Sequence, residues 1–240
     1  MILIFFSAHW YLSLFTQSFF NHRYSAHKQF TMSKAWEKFW FVMSFIFQGS
    51  SYLSPNAYGI MHRLHHAYSD TEKDPHSPRF SENLFHMMWK TKKYYSAVFR
   101  RRKKVDKKFL KDLPEWRSFD LFGESVAARI IIGTIYVGVY AWVNPAWYWY
   151  LLLPVHFMMG PFHGLIINWF AHKIGYRNYN LDDTSRNLFP LDLLMIGEGL
   201  HNNHHKHSSN PNFGNKWWEF DPVYPFIRLF NWAGMIRLRK

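Results

Sequence analysis

The stretch from Ile130 to Ala171, IIIGTIYVGVYAWVNPAWYWYLLLPVHFMMGPFHGLIINWFA, runs for 42 residues without an Asp, Glu, Lys or Arg. A bilayer crossing needs about 20 apolar residues, and Asn144-Pro145 breaks the run, so it reads as two spanning helices joined by a tight turn. Trp142, Trp147, Tyr148, Trp149 and Tyr150 crowd that turn, as side chains do where a hairpin meets the headgroup layer. Met1 to Phe20 is equally free of charge and predicts a further span. Without a basic start, it is a poor secretory leader. The expected fold is an all-α integral membrane protein with about three spans, near 1–20, 126–143 and 147–171.

Outside these stretches the chain is basic and rich in histidine. It carries 29 Lys and Arg against 16 Asp and Glu, 15 His and no Cys. Disulfides, thiolate metal sites and iron–sulfur ligation within the chain are therefore excluded. Nineteen of the cationic residues lie between Arg23 and Arg117 and nine between Lys173 and Lys240, which predicts a cytoplasmic cap made of 21–120 and 172–240. The densest run, Arg100 to Lys111, has anionic headgroups, an acidic protein or a solvated loop as its readings. Nucleic acid is not expected, since no recognition motif accompanies the charge.

Histidines recur as His22 and His27; as His62, His65 and His66; and as His201, His204 and His205, with His172 alone after the apolar stretch. Imidazole is the commonest neutral metal ligand, and nine are too many for one structural zinc. On an α-helix, positions i, i+3 and i+4 share a face, so each H-x-x-H-H trio points one way. His22 and His27 are five apart and cannot converge from a regular α-helix; either the helix ends between them or they address different metals. If the first two clusters serve one site, they lie on one side of the bilayer. The apolar segment 39–58 then reads as an interfacial helix, or a helix that dips in and returns.

Four segments together resemble the membrane fatty acid desaturases, particularly the acyl-CoA Δ9 (stearoyl-type) branch. HRYSAH (22–27) is similar to that family's first histidine box. HRLHHAYSDTEKDPH (62–76) is similar to the second, NWFAHKIGYRNY (168–179) to the segment with an isolated ligand, and GEGLHNNHH (197–205) to the third. The resemblance covers nearly all of a single domain, 1–240. It implies a non-haem di-iron centre held by His22, His27, His62, His65, His66, His172, His201, His204 and His205, with Asn168 holding a water on one iron. It further implies dioxygen as co-substrate, an external electron carrier of ferredoxin or haem type, and a cis double bond placed in a long acyl chain. Relatives usually have four crossings, so a span that begins at Met1 reads as a missing or truncated first helix. Met61 stands where the acyl-CoA branch commonly has an acid, and WWEFDP (217–222) is similar to bacterial and plant-type members. The headgroup therefore stays open between coenzyme A, a phospholipid and a carrier protein.

Around the boxes, Glu198, Asp70 and Asp74 are candidates to orient the ligands, or are ordinary surface and ion-pairing carboxylates. Arg177 and Arg186 are candidates for substrate phosphates, or plain surface arginines. His156 and His163 are expected to bond to a neighbouring helix, and His76 to have a local structural role. The competing functions are a related di-iron hydroxylase or ketolase and, in another class, a metal-binding membrane protein or transporter.

Overall fold

The computed structural model describes residues 1–239. It is mostly helical, with one two-stranded sheet. Helix α1 (Ile2–Thr16) is apolar all round and continues without interruption into a π-helical stretch, Gln17–Ala26. Strand β1 (Phe30–Met32) leads to α2 (Lys34–Gln48), which Ser33 starts by accepting from the Trp36 N–H at 3.3 Å. A tight 3₁₀ turn, Gly49–Ser51, separates it from α3 (Pro55–Tyr68). The cap continues through α4 (Leu84–Phe99) and α5 (Arg117–Gly123).

The hairpin follows as α6 (Val126–Val143), a 3₁₀ stretch (Trp147–Leu152), α7 (Leu153–Phe157), α8 (Met159–Leu165) and a π-helical turn (Ile166–Phe170). Box 3 lies on the short α9 (His201–Lys206), and α10 (Tyr224–Trp232) precedes strand β2 (Ile236–Leu238). The strands pair antiparallel, Phe30 with Leu238 and Met32 with Ile236, which fastens the end of the described chain beside box 1. Between them lies an apolar core of Leu14, Phe19, Phe20, Phe30, Trp40, Phe41 and Ile227. Burying each such side chain stabilises the fold by roughly 1.5–3 kcal/mol.

Two of the three expected spans differ from expectation. Helix α6 matches its expected bounds, and Asn144 ends it in the left-handed region at φ 46°, where asparagine is tolerated. Among the described residues it alone is a single helix long and apolar enough to cross a bilayer. The α1 helix proper is only 15 residues long, and its continuation to Ala26 is wound differently.

The second arm of the hairpin is no single helix but is bent by 76° between Phe157 and Met159. The reason is Pro161, which has no N–H to give the Phe157 carbonyl and crowds it sterically. The Ser50 hydroxyl donates to that carbonyl at 3.2 Å, and Ser51 Oγ accepts the Gly160 N–H at 3.0 Å. In an apolar setting both groups would otherwise be costly orphans.

Segment 39–58 is likewise not one interfacial helix. It breaks at Gly49, whose φ of 57° suits a residue without Cβ, and a Cβ there would collide with the Tyr136 hydroxyl. The turn sits against Ile132 and Tyr136 of α6, well inside that helix's length. His156 and His163 bond to a neighbouring helix as expected. Nδ1 of His156 lies 2.7 Å from His9 Nδ1, and Gln17 Nε2 donates to His163 Nδ1 at 2.9 Å.

Candidate metal centre

His22 and His27 meet by a route that regular helix geometry does not offer. The π-helical winding bonds i to i+5, and the His27 N–H donates to the His22 carbonyl at 3.1 Å. Residues five apart thus come to nearly the same side, with ring centroids 5.0 Å apart. The two trios behave as their spacing predicts, one on α3 and the other on α9.

The nine histidines converge as two groups, His22, His27, His62, His66 and His204 in one, and His65, His172, His201 and His205 in the other. Within the first, Nε2 atoms face one another at 2.8 Å (His27–His62) and 3.0 Å (His22–His204, His62–His66 and His66–His204). In the second, His172 and His201 Nε2 are 3.0 Å apart, and those of His65 and His205 stand at 3.3 Å. Adjacent ligands about 2.1 Å from one ion lie ~3 Å apart, so these spacings suit imidazoles sharing a metal.

The far side of the rings explains which nitrogen faces inward. His22 Nδ1 donates to Glu198 at 2.5 Å, His65 Nδ1 to Asp74 at 2.9 Å and His205 Nδ1 to Asp183 at 2.8 Å. Nδ1 of His172 lies 3.3 Å from Asp70, whose same oxygen accepts from the Thr184 hydroxyl and N–H, both at 2.7 Å. With Nδ1 holding the proton, a neutral ring presents a lone pair at Nε2. Several lone pairs aimed at one another repel, and a cation between them removes the conflict.

Burial supports that state. It pushes His27, His62, His66, His201, His204 and His205 well below the usual histidine range, with neighbouring imidazoles adding to the effect, so all six stay neutral. Burial also opposes charge on His65, but Asp74 outweighs it and raises that ring. Asp70 and Asp74 stay ionised below the ordinary carboxylate range despite burial, held by His172 and His65 respectively. The donor set, nine imidazole nitrogens with carboxylates behind, fits transition-metal ions.

For the metal-stripped protein these shifts set a pH dependence of stability. Between the lowered folded values and 6.5, the unfolded chain binds protons that the six folded rings refuse. Stability therefore rises with pH through this window and is lost as pH falls below 6.5, by up to ~1.4 kcal/mol per ring per pH unit. His65, raised, works in the opposite direction, but it is one ring against six. Thermal melts of stripped protein should drop steadily from pH 7.5 to 5.5. A flat or rising melting temperature over that range would contradict neutral, buried imidazoles.

Behind Glu198 lies the fully buried Arg23. Its guanidinium donates to Glu198 at 3.0 Å, to Asp221 at 2.7 Å and to the Pro211 carbonyl at 3.2 Å, and it stacks 3.8 Å from the Phe213 ring. Burial would raise Glu198, but His22 and Arg23 hold it down at about 2. The loop between His172 and box 3 is set by amides. Asn187 Oδ1 accepts the Asn202 N–H at 2.9 Å, and Asn203 donates to Glu219 at 2.7 Å.

Of the residues singled out in sequence, Glu198, Asp70 and Asp74 stand directly behind ligands. Arg177 donates to the Leu181 and Asp183 carbonyls at 2.8 and 2.9 Å, and Arg186 to the Gly175 carbonyl at 3.1 Å, so both shape the loop that carries Asp183. Asn168 lies half-buried in the π-helical turn one turn before His172. The His76 ring lies tilted against His65, centroids 4.5 Å apart, and its backbone N–H donates to Asp74 at 3.0 Å.

Sequence reading missed Asp183, Thr184, Arg23 and Asp221. Asp221 lies in the quoted WWEFDP segment and Arg23 inside the first box, but nothing in either motif announces their pairing. Asp183→Ala leaves His205 Nδ1 without its acceptor and should weaken metal binding by roughly 10–100-fold. Competition against a coloured chelator measures this directly.

The fatty acid desaturase family model matches residues 1–230. The Delta-9 desaturase-like 4 protein of Arabidopsis thaliana is 28% identical over 229 residues, covering 93% of this chain and 71% of that protein. The sn-1 stearoyl-lipid 9-desaturase of Synechocystis sp. is 28% identical, covering 90% of this chain and 64% of that enzyme. The Delta-9 desaturase-like 5 protein of Arabidopsis thaliana is 31% identical, covering 91% and 70%. The matched part is thus roughly two thirds of the length of these relatives, and it contains all three histidine boxes and the hairpin. This chain belongs to the fatty acid desaturase family.

Proposed function

We propose that the chain is a membrane acyl desaturase that places a cis double bond, at the Δ9 position, in a long acyl chain. The balance is R–CH2–CH2–R′ + O2 + 2 e⁻ + 2 H⁺ → R–CH=CH–R′ + 2 H2O. A small ferredoxin or haem protein supplies the electrons, since a chain without cysteine cannot hold an iron–sulfur cluster of its own. The names of the relatives, which include a stearoyl-lipid desaturase, favour an acyl-lipid over an acyl-CoA. The observation that carries the reading is the pair of interlocked imidazole groups, each aimed by carboxylates that hold the outward nitrogens.

The two groups would hold two non-haem irons, which supply the dioxygen chemistry needed to break unactivated C–H bonds. The chain's own work is positional. Glu198, Asp70, Asp74 and Asp183 keep the Nδ1 protons and so direct Nε2 inward, while Arg23 keeps Glu198 ionised and still. Asn168, one turn before His172, would hold a water on one of the irons. The distribution of Lys and Arg supports an integral, multi-pass placement with the histidines on the cytoplasmic face.

The test is expression in a strain unable to make a given unsaturated fatty acid, followed by mass spectrometry of its acyl chains. A new monounsaturated chain is the expected product. Hydroxylated chains in its place would turn the reading to a related oxygenase, and an unchanged lipid profile from iron-loaded, membrane-inserted protein supplied with a carrier would overturn it.

A further inference from the structure

Helix α4 has one face that nothing in the described fold covers. Trp89 follows Phe85 by four, Lys92 and Lys93 follow Trp89 by three and four, and Arg100 follows Lys93 by seven, which makes one exposed stripe, with Phe85 80% and Trp89 54% accessible. The Lys92 and Lys93 ammonium groups lie 5.2 and 5.4 Å from the Trp89 ring. Lys103 and Lys104 extend the charge, and from Asn83 to Val105 there is no Asp or Glu to offset it. Trp89, Lys92, Lys93, Ser96, Arg100 and Arg102 line a shallow groove of about 230 Å³ along this face.

The opposite face of α4, through Met87 and Val98, is buried, and α4 packs against both α3 and α8. Contact with α8 matters because α8 belongs to the bent apolar arm. An aromatic stripe continuous with cations, next to a spanning segment, matches the chemistry of a helix that lies in the headgroup layer. A soluble acidic protein would pair with the lysines but would leave Phe85 and Trp89 without a reason to be apolar.

We propose that α4 docks on the surface of an anionic phospholipid leaflet, with Phe85 and Trp89 inserted below the headgroups and Lys92, Lys93 and Arg100 on their phosphates. The groove seats a headgroup between the two kinds of contact. Each cation near such a surface strengthens attachment by about five-fold, and salt weakens it. Docking needs α8 in the bilayer but no particular chemistry at the histidines. A chain that desaturates normally while α4 stays in water would thus overturn this inference and leave the proposed function standing.

The absence of cysteine makes the test clean. A Phe85→Cys variant carrying an environment-sensitive fluorophore is reconstituted, full length, in nanodiscs of phosphatidylcholine with and without phosphatidylserine. The expected result is a blue shift and strong quenching by nitroxide-labelled lipid in the phosphatidylserine discs. Both should be several-fold weaker in the neutral discs, at high salt, or with Lys92→Glu, Lys93→Glu and Arg100→Glu added. A label exposed to water in both lipids overturns the proposal, as does one immersed equally in both. So does one buried only when an acidic redox protein is added. A separate variant labelled at the exposed Trp217, outside α4, is the control and should not respond to phosphatidylserine.

Discussion

Replacing His204 by alanine is expected to abolish the new double bond, with turnover down by well over ~100-fold, while His207→Ala changes nothing. The contrast is geometric. His204 Nε2 lies 3.0 Å from both His22 and His66, so one ring joins the ligands of the first and second boxes. Its Nδ1 has no protein partner, and the ring is buried, so Nε2 is its one functional atom. Removing a carboxylate behind a ligand costs ~10–100-fold, and removing the ligand itself must cost more. Three residues along, His207 is exposed. Acyl-chain mass spectrometry together with metal analysis checks both effects, and the alanine variant should bind less metal than the wild type. Wild-type product from His204→Ala would remove the first histidine group from the chemistry.

The second large effect is on stability. Arg23→Met should destabilise the protein by about 3–5 kcal/mol, because it strands Glu198 and Asp221 as buried carboxylates with their cation gone. Methionine fills much of the volume and keeps an apolar contact with Phe213, so the loss reports charge more than packing. A fall in Tm of roughly 10 °C is the corresponding readout. Arg237→Met, on the exposed side of β2, is the control and should melt as wild type. If Arg23→Met melted with it, the buried network would be ornamental to folding. Since Arg23 also steadies Glu198 behind His22, weaker metal binding should accompany the lower Tm.

Much of the centre was legible because its signal is local. The H-x-x-H-H trios encode their own face by helical spacing, and Asp74 follows closely the box it serves, whereas Asp70 and Glu198 stand beside one box in sequence and serve His172 and His22, far along the chain. Helix α6 was legible for the same reason, being an apolar run, broken only by Arg129 near its start, that ends at Asn144. The remainder depends on contacts distant in sequence. Arg23 and Asp221 are 198 residues apart, and neither position advertises the other. Asp183 acquires its role only because a loop shaped by Arg177 brings it to His205. The π-helical winding of box 1 is a tertiary demand, since an α-helix would turn His22 and His27 to different sides. The bend in the hairpin's second arm had a local sign in Pro161, but only the turn at Gly49–Ser51 shows why the break is tolerable.

That turn also imposes an order in time. Ser50 and Ser51 serve backbone groups at Phe157 and Gly160, which the ribosome makes about a hundred residues later. The partners of the two serines do not exist while the first two boxes emerge, so the segment between those boxes cannot settle until the hairpin has been made and packs against it. Box 3 is later still. The nine histidines can therefore come together only after the hairpin and box 3 have both been made, so a metal shared among the boxes cannot be what guides the hairpin to fold.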